Sequence, residues 1–207
     1  MIISVLISGC GNDENNTSNQ NLKLDGEYNI ENIFLNNEKR KGDILTKSII
    51  PSDVTLTSNI SNNQNFFDIY IKDSLQGRVE MHMSFVFKNN ELESIYPFND
   101  IQCNSDKIIA FPITADINDT SILSLYTCND GSILTNATWK LSSIKSENFT
   151  GGVFELNYDI ISSLGKKSKE VQNTFFIFSK GNIQSAVFSI IDPYNGDKTI
   201  INTIMKK

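Results

Sequence analysis

Residues 78 to 88 alternate in polarity. Val79, Met81, Met83, Phe85 and Phe87 are apolar; Arg78, Glu80, His82, Ser84 and Lys88 stand between them, with Val86 the one apolar residue out of phase. Successive side chains of an extended strand point to opposite faces, so this run is a long strand with one face in a core. Phe67, Ile69 and Ile71 alternate with Asp68, Tyr70 and Lys72 just upstream. The polar connection Asp73-Ser74-Leu75-Gln76-Gly77 joins the two runs and predicts a hairpin. A second hairpin is predicted where Thr174 to Ser179 and Ile183 to Ile191 flank Lys180-Gly181-Asn182, whose glycine and asparagine can take positive φ. Asp192 to Asp197 then reads as a turn and Lys198 to Met205 as a final strand.

Further strands are expected at Gly26 to Leu35, Asp53 to Ser58, Lys107 to Ile113, Ser121 to Cys128, Ser132 to Leu141 and Gly152 to Ile160. Glu38-Lys39-Arg40-Lys41-Gly42 reads as a solvated turn, and Ile160 to Glu170 as one short helix or a charged loop. Strands at such short intervals are typical of sandwiches and barrels. The expected fold is all-β: one antiparallel meander closing into a barrel and so removing its edges, with a two-sheet β-sandwich as the alternative. Leu24-Asp25-Gly26-Glu27-Tyr28 resembles the first-strand start of lipocalin-like domains, where an aromatic residue after a glycine closes the barrel base; Tyr28 stands in that place.

The amino-terminal region reads differently. Ile2, Ile3, Val5, Leu6 and Ile7 form an apolar run that ends in Ser8, Gly9 and Cys10. Leu6-Ile7-Ser8-Gly9-Cys10 resembles the lipobox of bacterial lipoproteins, whose small residues let a signal peptidase thread the extended backbone past the modified thiol. The resemblance implies that residues 1–9 are removed and that Cys10 carries a thioether-linked diacylglycerol as the first mature residue. Only nine residues, with no Lys or Arg, precede Cys10, so the signal is expected to begin upstream of Met1. Residues 11–21, Gly-Asn-Asp-Glu-Asn-Asn-Thr-Ser-Asn-Gln-Asn, contain no apolar side chain and are expected to form a flexible tether. The competing reading makes Met1 to Gly9 a first strand and Cys10 a buried free thiol. Each buried CH2 contributes about 0.8 kcal/mol, so one acyl chain holds marginally and two or three hold firmly. Gly11, where a retained lipoprotein of enteric bacteria has aspartate, implies the outer membrane.

Residues 22–207 are long enough for a single domain with a real core. The formal net charge of -6 lacks the basic footprint that phosphate backbones require, so nucleic acid is an unexpected partner. No later segment has the run of about 18 apolar residues of a membrane helix. Cys103 and Cys128 remain after Cys10 is assigned to lipid. An even pair in an envelope protein points to a disulfide, for which chain entropy gives about 3.5 kcal/mol over a loop of roughly 25 residues; two separate buried thiols are the alternative. Two distant cysteines and one histidine do not make a soft metal site.

No catalytic constellation is visible. His82, the single histidine, falls on the polar face of its strand, reads as solvent-facing, and is expected to tolerate replacement by alanine. Asp116 to Thr120 offers oxygen ligands, but Ser121 occupies the place of the glycine that bends a calcium loop. Asn129-Asp130-Gly131 reads as a hairpin turn, and Glu91 and Glu93 as surface acids. Phe175, Phe176, Phe178, Val187, Phe188 and Ile190 read as core, with an apolar pocket as the sharper alternative, and Trp139 as core too.

The sequence thus predicts a lipid-anchored envelope protein whose β domain binds or contacts a partner without catalysis or cofactor. The membrane, through acylated Cys10, is the expected partner, with an envelope protein or small apolar ligand beside it. A lipocalin-like carrier would need an apolar cavity above roughly 300 Å³. An enzyme would need residues that meet only in the fold, and an assembly or structural lipoprotein an exposed apolar patch or edge strand.

Overall fold

The computed structural model describes residues 27–35, 39–44, 52–61, 63–73, 79–107, 109–146 and 149–205. The signal segment, Cys10, the tether and the connection at 74–78 lie outside the described residues. The elements are β1 (Tyr28–Asn29), α1 (Glu31–Phe34), β2 (Lys39–Ile44), β3 (Ser52–Ser61), β4 (Gln64–Asp73), β5 (Val79–Lys88), β6 (Glu91–Phe98), β7 (Ile101–Ser105), β8 (Thr114–Ala115), β9 (Thr120–Ile122), β10 (Tyr126–Cys128), β11 (Ile133–Lys145), β12 (Thr150–Ile161), β13 (Lys167–Ile177), β14 (Ile183–Ile191) and β15 (Lys198–Met205).

Every pairing between these strands is antiparallel. β2 to β7 follow one another in the sheet, β10 to β15 continue it, and β15 returns to β2. The result is an all-β meander closed into a hydrogen-bonded ring of twelve strands. β9 adds to β11 outside that ring, and β8 leaves it to pair with β1. Both predicted hairpins are present: Phe67 pairs with Phe85 and Ile69 with Met83, and Thr174 pairs with Val187. At the turn between β5 and β6, Asn89 (φ 50) and Asn90 (φ 62) supply the two positive φ angles of a tight hairpin.

Eight strands give an interior that side chains fill, whereas sixteen or more enclose water, so a round ring of twelve would leave space. This ring is instead flattened. Phe67 on β4 and Phe175 on β13 touch across the interior, with ring centroids 5.9 Å apart. β2–β7 thus form one wall and β11–β15 the other, a closed barrel pressed toward a sandwich, with twelve strands where the lipocalin barrel has eight.

Phe34 fills the space between the walls. Its ring lies 5.0 Å from Phe67, 5.3 Å from Phe87, 5.4 Å from Phe111, 5.7 Å from Phe154 and 5.6 Å from Phe175. It arrives there on α1, where a strand was expected. Ile30, Ile33 and Phe34 sit at helical spacing and are all fully buried, and the Asn29 side chain accepts from the Asn32 N–H at 2.8 Å. Ser58 Oγ donates to the Phe34 carbonyl at 2.7 Å, and Arg40 Nη2 donates to the carbonyls of Asn32 (3.2 Å) and Ile33 (3.3 Å).

Four further expectations need correction. Among the described residues no strand spans 107–113, where Ala110 makes only an isolated bridge to Glu91. Residues 39–42 are strand, since β2 pairs with both β3 and β15. Residues 160–170 are no helix: β12 runs to Ile161, a turn follows, and β13 starts at Lys167, with Leu164 exposed at the tip. The strand expected at 121–128 is broken into β9 and β10, and β6 and β7 were not foreseen.

Candidate functional site

Three turns meet at one end of the flattened ring and enclose a cleft of about 250 Å³. Its apolar lining is Pro97, Phe98 and Ile101, from the β6–β7 corner, and Ile160 near the end of β12. Its polar side is Asp130, Ser132, Ser162, Ser163, Ser168 and Lys169.

The corner at β6–β7 is tied to the β10–β11 turn. Cys103 and Cys128 face each other in register and form a disulfide. Asn129 donates through its backbone to the Gln102 carbonyl (2.9 Å) and through Nδ2 to the Asp100 carbonyl (3.2 Å). Asn129-Asp130-Gly131 is the hairpin turn expected, with Gly131 at φ 80. Asp130 Oδ1 accepts from both the N–H (2.9 Å) and the hydroxyl (2.5 Å) of Ser132. Those bonds favour the charged form and hold the Asp130 carboxyl below the usual range.

The β12–β13 turn packs directly against this one: a Cβ placed on Gly131 would lie 3.3 Å from Ser163 Cβ. Its backbone is closed by Ser162 N–H to the Lys166 carbonyl and Gly165 N–H to the Ser162 carbonyl, both 2.8 Å. Ser168 Oγ donates to the Ile160 carbonyl at 3.1 Å. Lys169 Nζ donates to Asp192 Oδ2 at 2.9 Å, and Asp192 lies on the β14–β15 turn. The cleft therefore joins an apolar side to a carboxylate, an ammonium and several hydroxyls.

A second polar group lies on the outer face of β4 and β5. His82 Nε2 is 3.1 Å from Asp68 Oδ1, and its ring stacks on Tyr70 at 4.4 Å with an interplanar angle of 3°. Asn59 Nδ2 donates to Asp68 Oδ2 at 3.3 Å. The Asp68 side chain is only 10% exposed. His82 is on the outer face as expected, yet it is not a free surface residue. Its partner was missed because it comes from the neighbouring strand: Asp68 pairs with Ser84 and Tyr70 with His82, which sets the carboxylate diagonally across from the ring. The pair bridges β4 and β5, so its geometry points to holding the two strands together.

The other singled-out residues lie apart from the cleft. Phe175 and Phe188 are core, Phe176, Val187 and Ile190 are only half-buried, and Phe178 is exposed and stacks edge-on against Phe149. Trp139 is buried and stacks on Phe154. Glu93 is engaged by Gln64 and Lys88, and the Asp119 carboxylate accepts from the Asp116 N–H. The space lined by Phe34, Phe87 and Phe111 amounts to about 10 Å³, far below what an apolar ligand requires. Cys10 lies outside the described residues. No protein-family model, curated protein or solved structure matches the chain.

Proposed function

We propose that the chain is a lipid-anchored protein of the bacterial cell envelope, held in the outer membrane through acylated Cys10, whose β domain binds a ligand or partner without catalysis. The observation that carries this reading is the run Leu6-Ile7-Ser8-Gly9-Cys10 followed by eleven residues without an apolar side chain. The Cys103–Cys128 disulfide supports it, because such bonds persist in oxidising compartments.

The domain's polarity along its long axis also supports it. The chain enters the ring beside the start of β12: Tyr28 packs against Gly152, and the Asn29 N–H donates to the Ser179 carbonyl. The cleft is at the other end of β12, around Ile160 and Ser162. At about 3.3 Å per residue the two ends are roughly 30 Å apart. A domain tethered at one end would present the cleft away from its anchor. A carrier of apolar ligands is the weaker reading, because aromatic rings occupy the interior that such a ligand would need.

Replacing Cys10 by serine tests the anchor. The native protein should partition into detergent and the variant into the aqueous phase; identical partitioning of both would refute acylation.

A further inference from the structure

We propose that the cleft between the β6–β7, β10–β11 and β12–β13 turns binds one neutral sugar ring. This deepens the binding reading of the domain and does not depend on acylation of Cys10. The size fits one ring: about 250 Å³ lies below the range of roughly 300–1,000 Å³ that larger ligands use. A sugar ring alternates hydroxyls, which donate and accept, with patches of C–H. The cleft offers the complement of both.

On the polar side, Asp130 uses only Oδ1 for its turn, and Oδ2 has no partner among the described residues. The hydroxyls of Ser162 and Ser163 are likewise without a protein partner among the described residues and can donate or accept. Lys169 Nζ is bonded to Asp192 and retains further protons to donate. Phe98 and Ile101, from the β6–β7 corner, and Ile160, beside the serines, supply apolar surface for the C–H face of a ring.

Competing ligand classes fit less well. An anion would meet the Asp130 carboxylate, against one ammonium, Lys169, that is already paired with Asp192. A divalent cation would find one lining carboxylate. A purely apolar molecule would strip water from a carboxylate and an ammonium without replacing their hydrogen bonds.

The test is a titration of the isotope-labelled full chain, followed by amide resonances, with glucose and with N-acetylglucosamine; ethanolamine and inorganic phosphate serve as comparators. Saturable shifts confined to the three turns, with a dissociation constant of about a millimolar, are expected for at least one sugar. Asp130→Asn keeps an oxygen for the Ser132 bonds, so the turn survives, but converts the free acceptor into a donor; it should weaken binding about tenfold. Ser163→Phe, at an exposed position, should block the cleft and abolish the shifts. Absence of saturation with both sugars, equal affinity in Asp130→Asn, or saturation by a comparator alone would overturn the proposal. If the sugars fail while Cys10→Ser still releases the protein from detergent, the cleft assignment falls and the anchor stands.

Discussion

The two walls of the ring are joined twice, and the two joints are built differently. On one side β10 supplies three residues that pair with β7 and, through Tyr126 and Thr127, with β11. This joint carries the disulfide, the Tyr126 hydroxyl donating to the Leu92 carbonyl at 3.0 Å, and the Asn129 bonds. On the other side β15 meets β2 through three residue pairs, Thr203 with Ile44, Ile204 with Asp43 and Met205 with Gly42. No covalent bond closes that side among the described residues. It depends on close approach instead: a Cβ on Gly42 would come within 2.7 Å of Met205 Cε and 2.8 Å of the Ile204 carbonyl oxygen. Within the walls the ladders reach ten residue pairs between β3 and β4 and eleven between β11 and β12, and only β6 and β7 share as few as three. Long strands supply their own cohesion, whereas short contacts between walls need a particular device, a disulfide at one and a missing side chain at the other.

The difference can be broken in graded ways. Phe34→Ala should have the largest effect, because the ring touches both walls and its loss leaves a cavity between them; about 3–5 kcal/mol of stability should disappear in denaturant unfolding, and both joints should exchange amide hydrogens faster. Opening Cys103–Cys128 by the double serine variant should cost about 3.5 kcal/mol for its separation of 25 residues. Faster exchange should then concentrate in β10 and spare β2 and β15. Gly42→Ala should give the mirror image, with a loss of about 1–3 kcal/mol from overpacking and faster exchange in β2 and β15.

His82→Ala lies in one wall, away from both joints. It leaves the nearly buried Asp68 carboxylate with Asn59 alone and should cost about 1–2 kcal/mol. The smallest effect near neutral pH comes from Tyr126 itself. Burial raises its pKa above the ordinary value of 10.0, so the folded chain keeps this proton where the unfolded chain loses it. Stability from this group is complete below pH 10 and declines as pH rises above it. In an alkaline titration, the phenolate signals of Tyr126 and of buried Tyr158 should appear only as the ring unfolds.

What the sequence revealed follows the same division. β5 was legible because its alternation is long, and the hairpin of β13 and β14 because Lys180-Gly181-Asn182 marks its turn. β6 was not, because its register shifts between Ile95 and Phe98 and its buried positions fall out of step. β2 begins Lys39-Arg40-Lys41-Gly42, which locally resembles a turn and becomes strand only through its neighbours. Leu164 spaced from Ile161 looked helical, yet it marks a turn tip. The cleft was half legible. Asn129-Asp130-Gly131 read as a turn, but its meeting with Phe98 and Ser163 depends on strand lengths and registers across the ring. The same is true of Asp68 and His82, joined by one cross-strand register.

The anchor remains the claim on which location depends, and an intact mass of the protein extracted from its native membrane tests it most directly. The expected species is a chain that begins at Cys10 and carries the added mass of a diacylglycerol. A chain that retains Met1 to Gly9 with an unmodified Cys10 thiol would contradict it.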